Sequence, residues 1–140
     1  MIKFAGTWDF GWNTPIKEID MWQYPMMDYG FDNLIMAPVS GISNSFVTEY
    51  SDLELVLTEY RALDYQIIFV DEAGTETLEN FEHPADNALY VFGKAGFSPY
   101  VAYNQPGDRS LKIITKMNQG LLWPHQALTL ICADRLHKGV

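Results

Sequence analysis

Few residues in this 140-residue chain are of types that do chemistry. His83 and His125 are the acid–base candidates, because imidazole titrates near neutral pH. His83 precedes Pro84 in a loop, His125 falls in the first turn of a helix, and His137 lies near the chain end beside Lys138. None stands in a catalytic or metal-binding spacing, so these settings read better as surface or capping histidines. Gly93-Lys94-Ala95-Gly96 follows a strand, where two glycines let a ligand approach the backbone closely. It lacks the spacing of a P-loop, and a plain tight turn fits it equally well. Asp71-Glu72, at another strand end, either binds a ribose hydroxyl or forms a solvated turn. The single Cys132 excludes an intrachain disulfide and a cysteine-cluster metal site, and its place on an apolar helix face makes it inert. No metal is expected.

The elements that must position these residues follow from pattern. Ile2 to Ala5 is a short strand. Thr14-Pro15 starts a helix, Thr supplying a cap and Pro tolerated at the first position. Its inward residues are Ile16, Ile19, Trp22 and Met26, Pro25 kinks or breaks it, and Gly30 stops it. Leu34 to Val39 is a buried strand. Ser51-Asp52-Leu53-Glu54 is a capping box with Ser51 at the cap, opening a helix that buries Leu53, Val56, Leu57, Tyr60 and Leu63. Gln66 to Val70 and Leu89 to Phe92 are strands, with an acidic, turn-rich stretch at 75–87 between them. Residues 97–109 form a loop or short turn before a last strand, Leu111 to Ile114. Pro124 then opens a helix burying Leu128, Ile131, Cys132 and Leu136, ended by Gly139. Strands alternating with helices predict an α/β fold: a mostly parallel sheet of about five strands with helices on both faces. Ligands of such sheets bind at the carboxyl ends of the strands.

Apolar residues at 48% and charged residues at 19% are globular rather than disordered composition. The length fits a single domain over 1–140. No apolar run approaches the ~20 residues that span a bilayer, and the N-terminus has no signal-like stretch, so a cytoplasmic protein with no membrane partner is expected. The net charge of −9 argues against tight, unassisted binding to a phosphate backbone, and no DNA partner is expected. Charge is uneven, however: residues 1–93 carry −13 and residues 94–140 carry +4. Lys94, Arg109, Lys112 and Lys116 either line an anion-facing surface or belong to an ordinary basic face. Trp8, Trp12, Trp22 and Trp123 read as core or dimer-interface residues before base-stacking platforms.

Three stretches together resemble the SPOUT-class RNA methyltransferases, the trefoil-knotted group that includes tRNA and rRNA ribose 2′-O-methyltransferases. Asn13-Thr14-Pro15, a helix ending in Tyr29-Gly30-Phe31, and Leu34-Ile35-Met36-Ala37-Pro38 are similar to the family's opening motif. Tyr90 to Pro99 resembles the second motif, a strand ending in Gly followed by a Gly-rich loop. Leu111 to Thr115, a polar loop with Gly120-Leu121-Leu122, and the helix from Pro124 resemble the third.

The resemblance implies a C-terminal trefoil knot, a rare exception to unthreaded topology, together with a homodimer and S-adenosylmethionine held among three loops. By position these loops supply Val70, Asp71, Gly93, Gly96, Ile113, Ile114 and Leu122 as cofactor-binding residues, largely through backbone groups. Asn13 matches a catalytic-motif position. The family's Arg falls near Tyr24, its Glu at Ala95, and its Ser and Asn near Leu121 and Trp123. Arg109 or Lys116 is the cation that could replace the missing Arg in space. The implied activity is methyl transfer to RNA, at a ribose of tRNA or rRNA, with the basic C-terminal segment facing it. Two other readings stand beside it. One is a catalytically silent module of the same fold that binds a ligand or protein partner; the other is a flavodoxin-like, doubly wound binding domain without a knot.

Overall fold

The computed structural model describes residues 1–11 and 14–140. Asn13 and Trp12 lie outside the described residues. The chain runs β1 (Ile2–Thr7), α1 (Pro15–Asp28), β2 (Leu34–Ala37), β3 (Val47–Glu49), α2 (Leu53–Ala62), β4 (Gln66–Val70) and β5 (Glu76–Thr77). A 3-10 turn (Leu78–Asn80), β6 (Ala88–Phe92), α3 (Pro99–Tyr103), β7 (Arg109–Lys112) and α4 (Pro124–His137) follow. The strands form one sheet in the order β3-β2-β1-β6-β4-β7-β5. Every pairing between these strands is parallel. At the centre Phe4 and Ile68 flank Tyr90 in register.

Period-2 alternation divides the core between the two faces of the sheet. Tyr90 and Phe92 point to the side of α1 and α4, joining Phe4, Trp22, Met26, Leu128 and Ile131. Leu89 and Val91 point to the other side, joining Ile35, Phe69, Leu53, Val56, Leu57 and Tyr60 of α2. Both faces are therefore apolar and covered, as parallel sheets require.

The sheet has seven strands rather than about five. The two additional strands, β3 and β5, are edge strands of three and two residues. Such short pairings carry no alternation to read, and β5 lies in the acidic, turn-rich segment. The last strand begins at Arg109 and ends at Lys112, because Ser110 is buried beside Thr75 while Ile114, expected in the strand, is 61% exposed. Helix α1 does not break at Pro25. It continues to Asp28 and is closed by Tyr29 N–H donating to the carbonyls of Pro25 and Met26, both at 3.2 Å, with Gly30 at φ +85° just beyond. The cap of α2 is Asp52, not Ser51: its Oδ1 accepts from Leu55 N–H at 3.0 Å. Ile16, Leu63 and Leu136, expected to face inward, are exposed at the helix ends. Within 97–109, Ser98 caps the short helix α3.

Candidate functional site

The carboxyl ends of β4, β6 and β7 are adjacent in the sheet, so the turns that leave them converge. After β4, Asp71 closes its own turn: its carbonyl accepts from Gly74 N–H at 2.9 Å and its Oδ1 from Ala73 N–H at 2.9 Å. Asp71 Oδ2 accepts from Ser98 Oγ–H at 2.5 Å, which ties this turn to the cap of α3. The Asp71 carboxylate thus organises the turn, and Glu72 beside it is exposed. After β6, Gly93 opens a tight turn in which Lys94 and Phe97 exchange backbone hydrogen bonds at 3.2 and 3.0 Å. A Cβ on Gly93 would lie 2.5 Å from the Phe97 carbonyl oxygen and 2.8 Å from Pro99 Cδ. Glycine is needed here by the turn's own closure. After β7, residues 113–123 lead to α4. Gly120 sits at φ +65°, a backbone conformation that L side chains rarely adopt. Trp123 N–H donates to Gln126 Oε1 at 2.8 Å, which starts α4.

The three turns enclose a cleft of about 440 Å³, within the usual range for a small-molecule site. It brings together Val70, Asp71, Gly93, Gly96, Ile113 and Leu122. Ile114 does not line it. Lys94 and Lys112 line it as well, with Glu72 as the acidic counterpart and Leu121, Leu122 and Trp123 as apolar wall.

Arg109 is at the first residue of β7, at the opposite end of that strand, and does not line the cleft. It makes a two-pronged ion pair with Glu76, at 2.9 and 2.8 Å, donates to the Glu82 carbonyl at 3.1 Å and stacks 4.0 Å above the Phe81 ring. Its guanidinium is committed there, and its hydrogen bond to Glu76 holds that carboxyl below its ordinary range. Lys116 is exposed.

The histidines have separate surroundings. His83 is buried away from the cleft, its Nδ1 2.6 Å from the Tyr90 hydroxyl and its Nε2 2.6 Å from Asp134 Oδ2. Arg135 donates to the same hydroxyl at 3.1 Å and to the Pro84 carbonyl at 2.8 Å. Burial holds the His83 pKa below its ordinary value, against the pull of Asp134. This network fastens α4 to the segment around Pro84. His125 is buried between the rings of Trp22 and Trp123, at centroid distances of 6.4 and 5.4 Å, and burial lowers its pKa too. Cys132 is 1% exposed, and burial pushes its thiol up to about 12. Trp8 and Trp22 are core residues.

One residue of possible chemical use was not singled out from sequence. Glu18 of α1 is 4% exposed, and its Oε2 has no hydrogen-bond partner among the described residues. Burial, reinforced by Asp9 and opposed by Lys94, raises its pKa to about 7. The available signal was its spacing of four from Trp22, which puts an acid on the buried face of the helix.

No family model matches the sequence, and no curated protein matches it; the likeness lies in the fold. The chain superposes on the TrmH/SpoU tRNA modifying enzyme from A. aeolicus with a TM-score of 0.76 and 13% identity, covering 99% of this chain and 77% of that one. The SpoU methyltransferase AviRb from Streptomyces viridochromogenes, solved with AdoMet, gives 0.71 and 13% identity over 98% of this chain and 59% of its own. An AdoMet-bound rRNA methyltransferase from Sinorhizobium meliloti gives 0.68 and 13%, over 97% and 55%. The chain thus spans a little over half the length of the last two. The carboxyl-end cleft, the parallel α/β sheet and these superpositions agree: the chain has the TrmH/SpoU fold of the SPOUT class.

Proposed function

We propose that the chain is an S-adenosylmethionine-dependent RNA methyltransferase of the SPOUT class. Its 140 residues act as one domain, as a cytoplasmic homodimer, on a ribose 2′-hydroxyl of tRNA or rRNA. The observation that carries this reading is the convergence of three turns on one cleft at the carboxyl ends of β4, β6 and β7. The cleft fits the donor chemically. The turn at Gly93 to Gly96 offers close backbone approach, Ile113, Leu121 and Leu122 offer apolar cover, and Glu72 offers an anion to a cationic ligand. When bound, S-adenosylmethionine supplies the methyl group. The protein's part is to orient the acceptor in line with it and to exclude water.

Among the four cations expected to face RNA, Arg109 is engaged with Glu76. Lys94 and Lys112 at the cleft and Lys116 beside it remain to meet phosphates. Three cations on a chain of net charge −9 imply modest affinity; a second subunit would double the number of such contacts. A groove between α1 and α4, lined by Met21, Tyr24, Leu122 and Leu130, supports that pairing. All four are exposed apolar or aromatic side chains. The threaded path belongs to the same reading. The segment 113–123 helps line the same cleft as the turns after β4 and β6, and the His83–Asp134 and Arg135–Pro84 bonds fasten α4 to the loop before β6. Asn13 is retained as the residue that matches the family's opening motif.

The silent-module reading is favoured by one observation: Tyr24, Ala95, Leu121 and Trp123 stand where the family's reactive side chains would be. Isothermal titration with S-adenosylmethionine, followed by transfer of labelled methyl to bulk tRNA and rRNA, separates the two. Saturable binding with transfer is expected. Binding without transfer selects the silent module, and no binding at millimolar donor removes the enzyme reading.

A further inference from the structure

Glu72 and Lys112 leave the carboxyl ends of adjoining strands. Val70 of β4 pairs with Leu111 of β7, and Asp71 N–H donates to the Leu111 carbonyl at 2.9 Å. Glu72 and Lys112 are the next residues along each segment. The turn from Asp71 to Gly74 lies against the start of the same segment, since a Cβ on Gly74 would meet the Leu111 backbone at 2.6 Å. Both charged residues line the cleft, Lys112 half-buried and Glu72 exposed. The Glu72 carboxylate lies against Gly120, a lining residue of the loop before α4, so it reaches from one turn of the cleft to another.

The two charges are left unspent. Among the described residues, neither side chain makes an ion pair or a hydrogen bond, with the other or with any third group. Asp71, the other acid of the cleft, is occupied by Ala73 N–H and Ser98 Oγ–H. An available cation and an available anion at neighbouring strand ends, beside one hollow of about 440 Å³, are complementary to a ligand that carries both signs. A phosphate alone would meet Lys112 favourably and Glu72 with like charge. The amino-acid end of S-adenosylmethionine carries a carboxylate and an ammonium on one carbon, and so answers both.

We propose that Glu72 and Lys112 read the amino-acid end of the donor, Lys112 Nζ receiving its α-carboxylate and Glu72 its α-ammonium. The assignment rests on the methyltransferase reading above, and it gives Lys112 to the donor in place of RNA. Both are positioning residues: they fix the ligand's charged end and take no part in the transfer itself.

The test is calorimetry with four ligands of neutral sulfur, which removes the sulfonium charge from the comparison. They are S-adenosylhomocysteine, its analogue without the carboxylate, its analogue without the ammonium, and 5′-methylthioadenosine, which lacks both. Wild type should prefer S-adenosylhomocysteine about tenfold over the analogue without the carboxylate, the effect of one charge-assisted hydrogen bond. It should prefer it about threefold over the analogue without the ammonium, the smaller effect of an exposed acid. Lys112→Met should lose the first preference alone, Lys112→Arg should keep part of it, and Glu72→Gln should lose the second alone. The variants should bind 5′-methylthioadenosine like wild type; loss of that binding gives the altered residue a structural role and overturns its assignment. Wild-type preferences in Lys112→Met and Glu72→Gln overturn the proposal and leave the methyltransferase reading standing. So does a carboxylate preference that disappears in Lys94→Met and survives in Lys112→Met. The carboxylate and an RNA phosphate are both oxyanions, so binding of bulk tRNA and rRNA is measured beside the ligand series. Weakened RNA binding in Lys112→Met with the carboxylate preference intact returns Lys112 to phosphate contact and overturns the proposal. A wild type that binds none of the four ligands overturns both readings.

Discussion

A carboxyl buried without a partner weakens the fold that holds it. Glu18→Gln keeps the shape and removes the ionisation. The Glu18 pKa rises from its ordinary 4.5 to about 7 on folding, through burial first and Asp9 second. At about 1.36 kcal/mol per unit this amounts to at most about 3 kcal/mol. The sign follows from proton counts. Below pH 4.5 both folded and unfolded chains hold the proton. Between 4.5 and about 7 the unfolded chain releases it and the folded chain retains it, so stability falls as pH rises. Above about 7 the loss is complete. The glutamine variant has no such slope. Its stability relative to wild type should therefore climb by up to about 3 kcal/mol between pH 4 and pH 8. Urea unfolding of both proteins at several pH values measures the difference. His83 and His125, whose depressed pKa values add their own pH dependence, are common to both proteins and cancel. A difference that stays flat across pH would refute the claim that Glu18 is buried uncompensated.

Gly93→Val forces a Cβ to within 2.5 Å of the Phe97 carbonyl oxygen; it should open the Lys94–Phe97 turn and abolish donor binding by calorimetry while α4 and the dimer remain folded, and unchanged affinity would count against the site. Tyr90→Phe deletes the hydroxyl shared by His83 and Arg135 and should cost about 1–3 kcal/mol in urea unfolding, with faster amide exchange around residues 78–84. Leu130→Glu puts a charge in the α1–α4 groove; sedimentation should show monomers where wild type sediments as a dimer, and dimers in the variant would move the interface elsewhere.

The sequence was most legible where period and punctuation coincide. Ile67 to Val70 and Leu89 to Phe92 are continuous apolar runs closed by turn residues, and both lie in central strands. Gly30 and Gly139 each mark a helix end at positive φ. Legibility failed where a residue's role is decided by its neighbours. Arg109 is basic and near the expected last strand, yet Glu76, distant in sequence, claims both prongs of its guanidinium. Ile114 continues an apolar run that the sheet abandons at Lys112. Glu18 reads as an ordinary first-turn acid at a helix N-terminus; only the packing of α1 on the sheet and against α4 shows that it points inward, without a partner among the described residues.

This division explains how the fold tolerates identities of 13% to its structural relatives. What the cleft requires is geometric more than chemical. Gly74 must be small because its Cβ position lies 2.6 Å from the Leu111 backbone. Gly93 must be small because the Phe97 carbonyl lies against it, and Gly120 is favoured by its φ of +65°. The sheet asks only for alternating apolar residues of suitable volume, which many sequences supply. Backbone geometry can therefore persist while the reactive side chains drift. A protein built this way can lose a reactive side chain from one position and retain binding.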